Sequence, residues 1–202
     1  MNPIPVNLAV EDELSEAVLR RLLAESGRRF SVGSVYGRHG FGYLKNTIRG
    51  WNTAAKGVPF VVLTDLDTTE CAPQLIRDWL HEPVHPNLLL RIAVREVEAW
   101  LLADRSSIAA FLRCAHKRVP QTPESLADPK RRLVELARES KSAEVRARVA
   151  PKRGSTAQQG PEYNACLSEF VIGKWDPIAA GANSPSLKKA LEALGRFQPV
   201  FA

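Results

Sequence analysis

Two aspartates spaced i, i+2 close an apolar run, Phe60-Val61-Val62-Leu63-Thr64-Asp65-Leu66-Asp67. An uninterrupted β-branched and aromatic run reads as a strand buried on both faces, as in a parallel sheet covered by helices, and charge belongs where such a chain leaves the core. Side chains alternate faces along a strand, so Asp65 and Asp67 are expected to point the same way and to share one cation. Two further acidic clusters have the same setting. Val6-Asn7-Leu8-Ala9-Val10 runs into Glu11-Asp12-Glu13, and Leu88-Leu89-Leu90-Arg91-Ile92-Ala93-Val94 runs into Arg95-Glu96-Val97-Glu98.

In an open parallel sheet ligands collect outside the carboxyl ends of the strands, so three acidic strand ends are expected to face one crevice. Crowded carboxylates repel one another, and cations or raised pKa values make the crowding tolerable. Hard oxygen ligands suit Mg²⁺ or Mn²⁺, which keep several waters and favour phosphate-bearing substrates. The chemistry expected is metal-assisted phosphodiester cleavage or transfer. One cation makes a hydroxide nucleophile, and a second, about 4 Å away, stabilises the leaving oxygen. Glu11, Asp65 and Asp67 are the candidates for the first site, Glu96 and Glu98 for a second. Taken singly, an acid at a helix start is also favoured by capping and by the helix dipole, which accounts for Glu11, Asp12, Glu96 or Glu98 without any metal. The structural alternative for Asp65 and Asp67 is a capped strand-to-helix turn. What favours metal is the recurrence of three such ends in one order.

The elements that must position these acids follow from periodicity. After the first strand, Leu14, Val18 and Leu22, with Leu19 and Leu23 beside them, make one helical stripe that Gly27 stops. A second strand is expected over 30–36. The glycine-rich loop 37–42 that follows has neither the spacing of a phosphate-binding P-loop nor that of a dinucleotide fingerprint. Its Arg38 and His39 are candidate phosphate contacts, although a lone loop histidine is ordinarily exposed polar surface. Leu44, Ile48, Trp51 and Ala55 then give a helix over 43–55, and Pro73 opens another that ends near Leu80. The strand over 88–94 leads into helix over 95–102, and helical character continues over 105–112. A polar, proline-containing connection spans 120–129. A basic helix carries Lys130, Arg131, Arg132, Arg138, Lys141, Arg146 and Arg148 among Glu135, Glu139 and Glu144, a pattern that fits a solvated face as well as a nucleic-acid groove. Residues 151–155 make a basic loop whose Lys152 and Arg153 are candidate nucleic-acid contacts, and the tail has helices over 163–171 and 186–194 about a break at Trp175-Asp176-Pro177. The expectation is an α/β fold with a mostly parallel central sheet, residues 1–115 forming the catalytic core and 116–202 a basic helical extension packed on it.

Composition narrows the classes. With 202 residues, 45% hydrophobic and 25% charged, the chain suits one globular domain rather than a disordered or fibrous one. A formal charge of +6 permits phosphate contacts without requiring them. Cys71, Cys114 and Cys166 have no CxxC spacing, which argues against a disulfide frame or a thiolate zinc site. No apolar run approaches the roughly 20 residues of a membrane span, and no basic-then-apolar leader opens the chain, so the cytoplasm is the expected compartment. The four tryptophans sit in apolar patterns that read as core.

The order of Glu11, a helix, Asp65-Leu66-Asp67 and a further acidic strand end resembles the Toprim domain of topoisomerases, primases and OLD-family nucleases. A closer likeness is to a bacterial Toprim-like family of largely unknown function. It rests on residues 10–16, on Asp65-Leu66-Asp67 and on residues 96–104, and it extends through Gly160-Pro161-Glu162-Tyr163-Asn164 and Asn183-Ser184-Pro185-Ser186-Leu187. The resemblance implies a Toprim-like, Rossmann-like fold in which Glu11, Asp65 and Asp67 are the catalytic acids, with Glu98, and Glu96 close behind, for a second metal. Where OLD-type nucleases often have glycine and then a second glutamate four residues after the first, this chain has Asp12 and Ser15, with Glu16 one step later; one metal or two is left open. For the lysine that the group places near the scissile phosphate, Lys152 is the candidate, though no motif secures the match. The resemblance also implies a Mg²⁺- or Mn²⁺-dependent nuclease acting on DNA or RNA, the effector of a bacterial anti-phage system, working with a separately encoded ATPase. The alternatives are a non-catalytic Toprim-like binding or regulatory module and a phosphotransferase or phosphatase acting on small nucleotides.

Overall fold

Alternation along the strands divides the core into two layers. In the computed structural model, which describes residues 2–37 and 40–200, four strands form one parallel sheet: β1 (Ile4–Val10), β2 (Phe30–Gly37), β3 (Phe60–Asp65) and β4 (Leu88–Ala93), in the order β2-β1-β3-β4. Val6, Leu8, Val10, Val61, Leu63 and Ala93 face one layer, whereas Ala9, Phe60, Val62, Leu90 and Ile92 face the other. Both faces are covered, which is why β3 reads as an unbroken apolar run.

The second of those layers is closed by α2 (Phe41–Ala54) and α3 (Ala72–Leu80), through Leu44, Ile48, Trp51, Leu75 and Trp79. The first is closed by α1 (Glu13–Glu25) and α4 (Val97–Ala103), with α5 (Arg105–Phe111), α6 (Pro129–Arg138), α7 (Ala143–Val149), α8 (Tyr163–Gly173) and α9 (Pro177–Gly181) around them and α10 (Pro185–Arg196) directly against β4. Leu133, Leu136, Tyr163, Phe170 and Leu187 join the same buried cluster as the strand residues Leu8 and Leu63, so the C-terminal helices pack directly on the core. The fold is α/β with helices on both faces and a helical C-terminus.

Three segments differ from their sequence patterns. The apolar run reaches Asp67, but β3 stops at Asp65, because Asp67 turns into the left-handed region with φ 49°. The basic stretch divides into α6 and α7, since the Ser142 hydroxyl accepts the Val145 N–H and starts a new helix. At the expected break after Trp175, Asp176 caps the N–H groups of Ile178 and Ala179, and Pro177 opens the short α9. None of the described helices is long and apolar enough to cross a membrane.

Candidate functional site

The strand order decides the site. The chain leaves β1 for β2 on one side and returns across β1 to β3 on the other, so the direction of winding reverses between β1 and β3, where ligands of open α/β sheets bind. The strands β1, β3 and β4 lie side by side and parallel, with Asp65 level with Ala93. Their acidic ends are therefore neighbours on one rim of the sheet.

Each carboxylate on that rim is anchored. Glu11 follows the last residue of β1, and its Oε1 accepts the Thr64 hydroxyl at 2.5 Å and the Asp65 N–H at 2.9 Å, tying the end of β1 to the end of β3. Asp65 Oδ1 accepts the Val97 N–H at 2.9 Å and so holds the start of α4. Glu96 precedes α4 without capping it; its Oε2 accepts the Lys130 N–H of α6 at 2.8 Å. Glu98 is buried in the first turn of α4 and accepts the Tyr163 hydroxyl of α8 at 2.8 Å. The Lys130 ammonium lies 5.1 Å from the centre of the Tyr163 ring, a cation–π distance.

Asp67 reaches the rim by a route other than strand alternation. It is exposed, and it faces a second left-handed residue, Arg95, with φ 60°. The Asp67 N–H donates to the Arg95 carbonyl and Arg95 Nη1 donates to the Asp67 carbonyl, both at 2.9 Å. Left-handed backbone at an arginine costs on the order of 1–3 kcal/mol, and such strain gathers at functional sites. On the other flank, Gly40 donates its N–H to the Glu11 carbonyl at 3.0 Å. Gly37, with φ 108°, packs so close to Val10 that a Cβ there would lie 1.9 Å from the Val10 carbonyl oxygen. Arg38 and His39, between these glycines, lie outside the described residues.

The electrostatics are costly as they stand. Burial holds the Asp65 carboxyl well above the ordinary range, and repulsion from Glu98, Glu11, Asp67 and Glu96 adds to it. Glu11 is raised by burial against the opposing bonds from Thr64 and Asp65. Glu96 is raised to about 7, chiefly by burial and then by Glu98. Burial also raises Asp67 and Glu98, and in both the Lys130 charge opposes it. Either protons or a cation relieves such a set. The donor chemistry, carboxylate oxygens in desolvated surroundings, fits a hard divalent cation. The convergence is incomplete: among the described residues no three Asp, Glu, His or Cys side chains are grouped to hold a metal ion. The reason is visible in the bonds above, which turn Glu11, Glu96 and Glu98 towards protein donors.

The sequence does not single out several participants. Thr64 sits inside the strand pattern, Tyr163 inside a helix with no chemical signal, and Lys130 inside a run of basic residues. Asp128-Pro129 signals the start of α6, whose Arg131 N–H the Asp128 side chain accepts at 2.7 Å, yet nothing linear places that start against Glu96. The lysine whose charge bears on Asp67, Glu96 and Glu98 is Lys130. Lys152 and Arg153 lie instead in an exposed loop beside Arg138 and Arg146. Asp12 caps α1 through the Ser15 N–H at 2.8 Å, and Glu16 is buried and paired with Arg20 at 2.8 Å.

A family model described as a domain of unknown function, DUF4276, matches residues 10–150. Comparison with curated proteins and with solved structures gives no match. The matched span runs from the end of β1 through α7, and takes in all five rim carboxylates and Lys130. This chain belongs to the DUF4276 family.

Proposed function

We propose that this protein is a Mg²⁺- or Mn²⁺-dependent nuclease that hydrolyses phosphodiester bonds of DNA or RNA. The observation that carries the reading is the adjacency of Glu11, Asp65, Asp67, Glu96 and Glu98 on one rim of a parallel sheet, at its topological switch point. The Toprim-like order of these acids in the sequence supports it. Glu11, Asp65 and Asp67 would hold the first cation, with Glu96 and Glu98 available for a second. A bound cation would supply hydroxide near neutral pH and neutralise charge on the phosphate. Asp67 and Glu96 are the less buried of these acids and would remain accessible to such a cation.

The remaining roles belong to the chain's own groups. Thr64 and the Asp65 N–H orient Glu11, the Val97 N–H orients Asp65, and Tyr163 orients Glu98. Such outer partners fix ligand geometry and are themselves worth about 10- to 100-fold in activity. The effect of the Lys130 charge on Asp67, Glu96 and Glu98 supports Lys130, rather than Lys152, as the lysine that would meet the scissile phosphate. By the same resemblance, the protein is the effector of a bacterial anti-phage system in the cytoplasm, working with a separately encoded ATPase.

The anchoring bonds favour a second reading. Asp65 and Asp12 hold backbone N–H groups at helix starts, as acids in a non-catalytic binding module would. Mn²⁺ titration separates the two, because capping predicts neither saturable binding nor a thermal shift. The decisive variant is Asp65→Asn/Asp67→Asn, in which the new amide at position 65 keeps an oxygen for the Val97 N–H. Cleavage of plasmid DNA, a tRNA pool and free nucleotides should fall by about 10³-fold on whichever polymer the native protein cuts. Undiminished cleavage by the folded double variant sinks the mechanism, and turnover of nucleotides alone points to a phosphatase or phosphotransferase.

A further inference from the structure

A groove leads away from the acidic rim along α6. Its near part, about 460 Å³, is lined by Glu96, Lys130, Arg131 and Gln158 among others, and its far part, about 730 Å³, by Arg146, Lys152, Arg153 and Ser155 among others. Glu135 and Arg138 line both parts, so the two adjoin along α6, and the near one reaches a candidate metal ligand, Glu96.

The charge balance within it is uneven. Both carboxylates of the far part are already engaged: Glu135 by Arg131 and Arg132, Glu139 by Arg118. Arg146 donates to the Ser140 carbonyl. The side chains of Arg138, Lys152 and Arg153 are exposed and make no hydrogen bond or ion pair among the described residues. Three unpaired cations thus stand along the far part, whose two acids are paired with Arg118, Arg131 and Arg132. On α6, Lys130, Val134 and Arg138 recur every four residues, which aligns Lys130 and Arg138 on one helix face about 12 Å apart at 1.5 Å per residue. That length is enough to span more than one phosphate of a strand.

We infer that this groove is a backbone-binding track that carries a nucleic-acid strand into the acidic centre, with Arg138, Lys152 and Arg153 as its phosphate contacts. This rests on reading the rim as a phosphodiester-cleaving site, and it adds a binding surface that works without metal. Recognition by these side chains is electrostatic and independent of sequence, because none of them is held for base readout.

The test measures anisotropy of a labelled 20-nucleotide single-stranded DNA bound to the full chain in EDTA, across a salt series. The triple variant Arg138→Gln/Lys152→Gln/Arg153→Gln should bind at least about tenfold more weakly. Its log–log salt slope should be shallower by about 2, as three lost contacts require at about 0.7 per phosphate. Arg28→Gln/Arg29→Gln, which removes cations lining a separate surface hollow, should bind like the native chain. Unchanged affinity of the triple variant, an equal loss per charge in the Arg28/Arg29 variant, or poly-glutamate competing as well as the oligonucleotide would each overturn the track. Native binding through the groove with no cleavage under Mn²⁺ leaves the track standing and removes the nuclease; cleavage that the triple variant retains in full does the reverse.

Discussion

The acidic rim and the basic groove lie end to end and are built on opposite terms. On the rim, carboxylates are desolvated, repel one another and are fixed to a sheet edge by hydrogen bonds from three other elements. In the groove, Arg138, Lys152 and Arg153 are exposed, unpaired among the described residues and carried by a helix end and a loop. A site that must place charge to within fractions of an ångström needs the rigid scaffold and bears its desolvation cost, whereas a surface that only gathers a polyanion needs charge in water and bears little. The contrast predicts that neutralising a rim carboxylate alters chemistry and stability in opposite directions, while changes in the groove act through affinity and leave stability unchanged.

The largest effect expected is that of Asp65→Asn/Asp67→Asn: loss of cleavage by about 10³-fold, with oligonucleotide binding through the groove retained and the metal-free melting temperature unchanged or raised. A double variant that lost binding as well would erase the distinction between the two regions. Next is Tyr163→Phe, which leaves Glu98 without its hydroxyl donor; activity should fall about 10- to 100-fold and the Mn²⁺ concentration needed for half-maximal rate should rise. Native activity in that variant would remove Glu98 from the metal site. The groove variant comes third, with its loss of affinity of about tenfold and unchanged melting temperature.

The pH response sharpens the comparison further. Glu96 titrates at about 7 in the folded chain against an ordinary 4.5. The folded state therefore holds a proton that the unfolded chain has released, and its contribution to stability, full below about 4.5, is lost as pH rises through 7. Metal-free protein should melt lower at about pH 8 than at about pH 5, and Glu96→Gln should flatten the difference. Because a cation competes with those protons, the Mn²⁺-induced rise in melting temperature should be larger at the higher pH; equal rises at both pH values would separate the rim from metal binding. The smallest effect is that of Thr64→Val, buried in β3, which removes one charge-assisted bond to Glu11 and should cost about 1–2 kcal/mol in denaturant unfolding.

Much of the architecture was legible because it depends on local pattern. The apolar run at Phe60, the stripe of Leu14, Val18 and Leu22, and the prolines and glycines between elements specify strands and helices within a residue or two of where they lie. Glu11, Asp65 and Glu98 stood out because acidic clusters recur after three strands in one order, although capping and the helix dipole account for any one of them. The partners of these acids were hidden, since Thr64 reads as ordinary strand, Lys130 as one basic residue among many, and Tyr163 as helix core. The path of Asp67 was hidden too, because a left-handed turn at a non-glycine residue depends on Arg95 across the neighbouring strand end.

The sequence by itself determined the elements, the three acidic strand ends and the excess of basic residues after position 116, because each follows from residue type and spacing along the chain. Only the tertiary structure decided that β1, β3 and β4 are neighbours, that α6 brings Lys130 to the acids and leaves Lys152 with Arg138, and that Glu135 and Glu139 are paired with Arg118, Arg131 and Arg132. Those facts are pairings between residues tens of positions apart, and they are set by how the layers pack rather than by any local preference.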